Sequence, residues 1–569
     1  MDIEEKIKNL INNILKNLNV EDVNFSIEHP EDFKNGDYST NVAMVCAKKM
    51  GKNPKELAEL LKTEIEKDLS TEIEKVEVAG PGFINFYLSR EFFADSIKDI
   101  LKEDKNWGKS NSLKGEKIMV EYTDPNPFKP FHIGHLMTNA IGESISRVIE
   151  FSGAKTIRAN YQGDIGPHVA KAIYGLMKFG KPEETKTVSE KAEFIGECYS
   201  KGSNLYDTDE NIKKEIDEIN KKIYDKSDKK INELYDWGRK ITLEAFEEIY
   251  KILGTKFDYY FFESGMVEKG QKIVKENIDK VFDESDGAII FRGENYDKKL
   301  HTRVFVNSQN LPTYETKEIG LTMTKFEKEN PDLSIVVTAT EQAEYMKVVQ
   351  KAISLIHPDY EKRMKHLTHG MMKFSSGKMS SRKGNVVTGE SLLRDSMETV
   401  LEKMKDRDLT DKEKKKISEI VGVSALKYSI LKSSLGSDIV YDFEKSISFE
   451  GDSGPYLQYT AVRANSILEK SKEFKKDGRE NIPEEVTDLE KLLYQFPEVI
   501  EQSYKLFEPH HIATYLTALA SAFNTFYGNT KILENGNDYM KYQLELVKAF
   551  YQTMKNGLWL LGIETPERM

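Results

Sequence analysis

The opening residues MDIEEKIKNLINNILKN repeat apolar positions at helical spacing among charges of both signs, which predicts an amphipathic surface helix. Two more helical patterns follow in NGDYSTNVAMVCAKKMGKNPKELAELLKTEIEK, broken at Gly51 and Pro54. VEVAGPGFINFYLS then alternates and turns as a hairpin does. Residues 1–109 are expected to form a small α+β unit, and the polar stretch 102–117 reads as a linker.

At residue 117 the pattern changes. KIMVEYT reads as a strand, and Leu136, Ala140, Ile141, Ile145, Val148 and Ile149 mark one face of a helix that Ser152-Gly153 can stop. TIRANY is a second strand, and SIVVTATEQ near residue 334 a third, buried one. This β-α-β order predicts an α/β domain built on a Rossmann-like parallel sheet with helices on its faces. Residues 182–255 are dense in charge and read as a helical insertion, a solvated hairpin. Beyond about residue 395 the chain is mostly helical, with TYLTALASAFNTFY and LVKAFYQTMKNGLWLLG as amphipathic segments. The division expected is 1–109, 110–440 and an all-helical 441–569.

Composition narrows the class. A length of 569 residues allows two to four domains, and 39% hydrophobic with 31% charged residues suits a soluble globular chain. No run of about 18 apolar residues occurs, so no membrane partner is expected. The amino terminus makes a poor signal peptide, and the cytoplasm is the expected compartment. Cys46 and Cys198 are the only cysteines, which excludes a disulfide framework and a cysteine-rich zinc site. A net charge of −12 argues against indiscriminate nucleic-acid binding but leaves room for a local basic face.

The candidate chemistry begins in PNPFKPFHIGHLMTNAIGES, residues 125–144. A proline-rich loop leaves the first strand of the sheet and enters a helix through His132-Ile133-Gly134-His135. A helix amino terminus at a strand's carboxyl end offers unpaired N–H groups to phosphate. Two imidazoles there can donate further hydrogen bonds, and Gly134 lets a base or ribose approach the backbone. Equally, two loop histidines can serve only local backbone groups. Far downstream, HGMMKFSSGKMSSRKGNVV, residues 369–387, is a basic, glycine- and serine-rich loop. It is not a P-loop, because Met379 stands where Ser or Thr is needed. Lys378, Arg382 and Lys383 could close over leaving phosphates.

An H-I-G-H after the first sheet strand, paired with Lys378-Met379-Ser380-Ser381-Arg382, resembles the signature pair of the class I aminoacyl-tRNA synthetases. VEYTDPNPFKPFHIGHL, NYQGDIG, PTYETKEIG, FEGDSGPYLQYTAVRA and LLGIETPERM narrow the resemblance to arginyl-tRNA synthetase, as do GDYSTNVAM and VEVAGPGFINFYLS near the amino terminus. The likeness runs from about residue 30 to 569.

This resemblance implies two steps: arginine's carboxylate attacks the α-phosphate of ATP and releases pyrophosphate, and the 2′-hydroxyl of the tRNA's terminal adenosine then takes the aminoacyl group. The implied partners are tRNA(Arg), L-arginine and ATP with Mg2+, and the expected state is a monomer. His132, His135, Lys378 and Lys129 are the implied catalytic residues, with ATP contacts at His132, Gly134, His135, Met372, Lys378 and Ser380. For arginine, Tyr314, Glu318 and Glu263 map onto guanidinium contacts, and Glu121, Asn126, His135 and Gln342 onto contacts to the α-amino and carboxylate ends. The family usually has Asp where this chain has Glu318, and a second lysine where it has Ser381. Lys129 is the expected substitute for that lysine, ahead of Arg382 and Lys383. From about residue 441 the helices resemble the family's anticodon-binding domain, with Arg463 among Tyr456, Gln458 and Tyr459, and the amino-terminal unit is implied to touch the tRNA's outer corner. Two rivals remain at this point: another H-x-G-H nucleotidyltransferase, and an inactive synthetase-like RNA-binding protein.

Overall fold

Five strands, all parallel, lie in the order Met364–His369, Leu333–Ala339, Lys117–Glu121, Lys155–Gln162 and Tyr259–Phe262. They were found in a computed structural model that describes residues 3–20, 22–375, 387–474 and 481–569. The central strand, Lys117–Glu121, pairs Glu121 with Ala159 on one side and with Val336 on the other. Ile118, Met119 and Val120 are buried, which suits a strand covered on both faces. The chain steps from the central strand to Lys155–Gln162 on one side, and later places Leu333–Ala339 on the other. Such a reversal opens a crevice beyond the strands' carboxyl ends.

The helix Ile133–Phe151 follows the central strand. Glycine is required inside it, because a Cβ at Gly142 would come within 2.2 Å of the Tyr122 ring. Tyr122 therefore lies flat against the helix, fully buried, and donates its hydroxyl to Glu143 at 2.5 Å.

The charged stretch forms three helices, Val188–Thr208, Glu210–Asp225 and Lys229–Leu253, and not a solvated hairpin. Ile195, Ile216, Ile219, Ile223 and Ile231 pack with Val169 and Ile173 of the helix Pro167–Phe179. Glycines set the contact distance: a Cβ at Gly202 would stand 2.2 Å from the Lys171 carbonyl oxygen, and one at Gly175 2.5 Å from that of Cys198. Charge density hid this core because Glu210–Asp225, between its two neighbours, buries only the narrow stripe Ile216, Ile219 and Ile223.

A second sheet was not expected. Asp283–Ser285, Ala288–Arg292 and Thr302–Val306 form an antiparallel meander. Asp286 and Gly287 both have positive φ between the paired residues Ser285 and Ala288, the geometry of a tight two-residue hairpin.

The chain divides into two compact units. One comprises Gly108–Val462, Glu498–Thr517 and Gly557–Met569 and holds the parallel sheet. The other comprises Met1–Trp107, Arg463–Pro497 and Ala518–Asn556. Its sheet is antiparallel, in the order Ile27–Glu28, Tyr38–Thr40, Phe83–Leu88, Ile73–Ala79. The expected hairpin is the pairing of Ile73–Ala79 with Phe83–Leu88. Gly51 ends one helix in the left-handed region, and Asn53 caps the next, which starts at Pro54. Ile7, Val42, Cys46, Leu57, Ile84 and Phe86 form the centre of this unit's core.

Candidate active site

The loop from Tyr122 to Phe131 carries positive φ at three non-glycine residues: Thr123 (81°), Asp124 (46°) and Phe128 (69°). Such conformations cost about 1–3 kcal/mol each and persist where surroundings over-determine them. Here the surroundings are visible. Asn139 Nδ2 donates to Thr123 Oγ1 at 2.9 Å, and the Tyr161 N–H donates to Asp124 Oδ1 at 2.7 Å. The Phe128 ring lies on Gly238 of the charged insertion, where a Cβ would come within 2.3 Å. The insertion therefore buttresses the loop that enters the signature helix.

His132 and His135 cap that helix reciprocally. The His135 N–H donates to His132 Nδ1 at 3.3 Å, and the His132 N–H donates to His135 Nδ1 at 3.2 Å. Each Nδ1 is thus an acceptor, so the proton of each neutral ring sits on Nε2, free to donate. The rings stack at 3.4 Å between centroids. Gly134 makes room for this, since a Cβ there would stand 3.0 Å from the His132 ring. Desolvation, then the Lys129 charge, lower His132 to about 4. Burial, then His132 and Lys129, hold His135 well below the ordinary range. Two neutral N–H donors result.

Four carboxylates face the crevice from different elements. Glu121 ends the central strand and accepts from Lys325 Nζ at 2.8 Å, both side chains 2% exposed. Glu263, on the turn Glu263–Gly265 after Tyr259–Phe262, accepts from Lys317 Nζ at 2.5 Å. Among the described residues Glu318 accepts one hydrogen bond, from the Tyr345 hydroxyl at 3.4 Å. Burial, then Glu121, raise Glu318 to about 8. Asp124 is pushed well up by burial and Glu121. Asn126 joins the group, because a Cβ at Gly163 would stand 2.2 Å from Asn126 Oδ1 and 3.3 Å from Glu263 Oε1.

Several contributors escaped the sequence reading. Lys317 and Lys325, on the helix Tyr314–Glu329, pair with nominated carboxylates. Asp164, fully buried, accepts from Ser264 N and Oγ at 2.9 and 2.8 Å, from Arg239 Nε at 2.9 Å and from Tyr235 Oη at 3.2 Å. It so fixes the turn that bears Glu263. Tyr161 Oη and Gln162 Oε1 are buried at the sheet's carboxyl edge without a hydrogen-bond partner among the described residues. The segment NYQGDIG held the signal for three of these, yet nothing in its spacing distinguishes them from core polar residues.

The nominated residues are gathered unevenly. Glu121, Asn126, Lys129, His132, Gly134, His135, Glu263 and Glu318 lie on or beside the crevice elements, and Tyr314 joins them through Lys317, whose Nζ is 4.4 Å from its ring centroid. Lys129 Nζ stands 5.4 Å from the Tyr199 ring centroid of the insertion and makes no ion pair among the described residues. Gln342 sits on the exposed turn Thr340–Gln342 that ends Leu333–Ala339. Met372 lies on the short strand Met372–Phe374, paired with Ile439–Tyr441. Lys378 and Ser380, with Ser381, Arg382 and Lys383, fall outside the described residues. Among the described residues no group of three His, Cys, Asp or Glu could hold a metal ion, and no helix is long and apolar enough to cross a membrane.

A parallel sheet whose central strand leads through H-I-G-H into a helix defines the catalytic domain of a class I aminoacyl-tRNA synthetase. Residues 96–443 match the family model described as "tRNA synthetases class I (R), catalytic domain". Residues 2–88 match "Arginyl tRNA synthetase N terminal domain", and 457–569 match "DALR anticodon binding domain". The chain is 32% identical to the arginine–tRNA ligase of Halothermothrix orenii over 100% of both chains, and 32% identical to that of Clostridium beijerinckii over the same share. In fold it resembles the Thermus thermophilus arginyl-tRNA synthetase, with a TM-score of 0.81 over 100% of both chains at 23% identity. The chain belongs to the arginyl-tRNA synthetase family, and it attaches arginine to tRNA for translation at the expense of ATP. That removes both rivals.

Proposed function

We propose that the crevice beyond Glu121 performs both steps and reads its amino acid by charge. The observation that carries this is Glu318, a crevice carboxylate that makes no ion pair among the described residues and is raised to about 8 by burial. Glu121 pairs with Lys325, Glu263 with Lys317 and Asp164 with Arg239. Glu318 is left without such a pair among the described residues. A guanidinium supplies the missing cation and, with five donors in a planar fork, suits two carboxylates and a tyrosine. Glu263, Glu318 and Tyr314 take that end of arginine, while Glu121, Asn126, His135 and Gln342 take the α-amino and carboxylate end.

ATP lies over the signature helix. The Nε2–H groups of His132 and His135 and the helix amino terminus meet its phosphates as charge develops on the pentacoordinate phosphorus. Gly134, Met372, Lys378 and Ser380 complete that site in this reading. Magnesium supplies charge neutralisation as the partner of ATP's phosphates. Arginine's carboxylate attacks the α-phosphate, the bond to pyrophosphate breaks, and the 2′-hydroxyl of the terminal adenosine then attacks the mixed anhydride to release AMP. Alignment and electrostatics do this work, with no covalent enzyme intermediate.

The finer reading extends to a monomer working in the cytoplasm, with residues 1–109, 110–440 and 441–569 as outer-corner, catalytic and anticodon-reading domains. The experiment is steady-state charging of tRNA by Glu318→Gln. A rise in arginine KM at nearly unchanged ATP KM supports the assignment, and an unchanged arginine KM contradicts it.

A further inference from the structure

Glu263 and Lys317 form a buried pair, their side chains 8% and 5% exposed. Lys317 Nζ donates to Oε2 alone. The same ammonium covers one face of the Tyr314 ring at 4.4 Å. A carboxylate beside an aromatic face is what a guanidinium seeks, and a lysine of the chain already holds part of it. The other oxygen, Oε1, faces Gly163 and Asn126 and accepts no hydrogen bond among the described residues. Among the described residues, Glu318 Oε2 accepts no hydrogen bond and Oε1 accepts one, from Tyr345.

Resting on the reading of this crevice as the arginine subsite, we infer that Lys317 is a positioning residue that commits one oxygen of Glu263 to the protein, leaves a single oxygen to the substrate, and so assigns the guanidinium's forked contact to Glu318. The charge balance supports it. Without Lys317, Glu263 would be a dry carboxylate beside Asp164 and Glu318, and a proton would neutralise it before substrate arrived. Asp164 holds the backbone of the turn through Ser264, while Lys317 holds the carboxylate, so the two fix different parts of one residue.

A double-mutant cycle on the full-length enzyme tests this, with arginine KM and kcat measured for Lys317→Met, Glu263→Gln and the pair. Lys317→Met should raise arginine KM by about tenfold or more with kcat within about twofold, the pattern of a lost binding interaction. In the Glu263→Gln background the same change should alter KM less than about twofold, because the lysine acts through that carboxylate. The double variant leaves neither member of this pair as an unpaired buried charge, so it folds even where Lys317→Met is weakened. Lys317→Arg, which keeps the cation, should hold KM nearer the wild-type value than Lys317→Met does. Glu318→Gln should raise KM more than Glu263→Gln does. An equal effect of Lys317→Met in both backgrounds, or a fall in KM, overturns the inference; a fall would make Lys317 a competitor of the substrate. If Glu263→Gln itself leaves arginine KM unchanged, the subsite reading fails instead.

Discussion

His132 and His135 each accept the other's backbone N–H on Nδ1, with their rings stacked 3.4 Å apart. Protonating either ring removes an acceptor from the cap and sets charge against charge. Both rings titrate below the ordinary 6.5 in the folded chain, His132 at about 4. The unfolded chain therefore binds protons first as pH falls. The stability of the cap is present above pH 6.5 and is lost as pH drops from there toward about 4. His132→Asn keeps a helix cap without the titration. Urea unfolding at several pH values should show a shallower acid loss in this variant than in the wild type; parallel curves would count against the neutral pair.

Lys129 lies in the loop entering the signature helix, where its charge acts on His132 and His135, and it is drawn below its ordinary pKa by burial and then by Lys171. Its place is set by a loop locked at Thr123, Asp124 and Phe128. Loss of one phosphate-directed cation should cost about 2.7–4 kcal/mol in adenylate formation. Single-turnover rates should fall in Lys129→Ala and recover partly when Ser381→Lys is added. An unchanged rate, with Arg382→Ala abolishing activity, moves the role to Arg382.

Glu318 ties arginine binding to a proton. Its carboxyl titrates at about 8 in the empty site, raised by burial and Glu121, and a guanidinium favours the charged form. Binding below that pH releases a proton, so arginine KM should fall as pH rises toward about 8 and level off above it. Glu318→Gln should flatten the profile. A wild-type KM with no slope between pH 6 and about 8 would contradict the assignment.

Gly163 separates catalysis from stability. The atoms nearest a methyl there belong to the ends of the Asn126 and Glu263 side chains. Gly163→Ala should leave thermal unfolding within about 1 kcal/mol of wild type, because the Asn126 amide can turn aside, while arginine KM rises. A large stability loss with intact KM would place Asn126 outside the site.

Three of the parallel sheet's five strands were readable, in KIMVEYT, TIRANY and SIVVTATEQ, while Tyr259–Phe262 and Met364–His369 were not. The histidine loop was readable from its residues, while the nomination of Glu263 and Glu318 came from family resemblance alone. Lys317 and Lys325 were not readable. Nothing in YETKEIGLTMTK distinguishes a buried lysine from a solvated one, because burial follows from which helix face meets Glu121 and Glu263, residues about 200 and 54 positions away. The insertion was misread for the opposite reason: its isoleucine stripes are real, and the charges between them outnumber them.

The central claim is that Glu318, a carboxylate without an ion pair among the described residues, selects arginine. The most direct measurement compares arginine with citrulline, its neutral isostere, as substrates for tRNA charging by the wild type and Glu318→Gln. Leaving a buried charge unpaired costs roughly 2–5 kcal/mol, so the wild type should prefer arginine in kcat/KM by about 30-fold or more. Glu318→Gln should lose most of that preference, chiefly by losing activity toward arginine. A variant that keeps the full wild-type ratio would show that the selecting charge lies elsewhere.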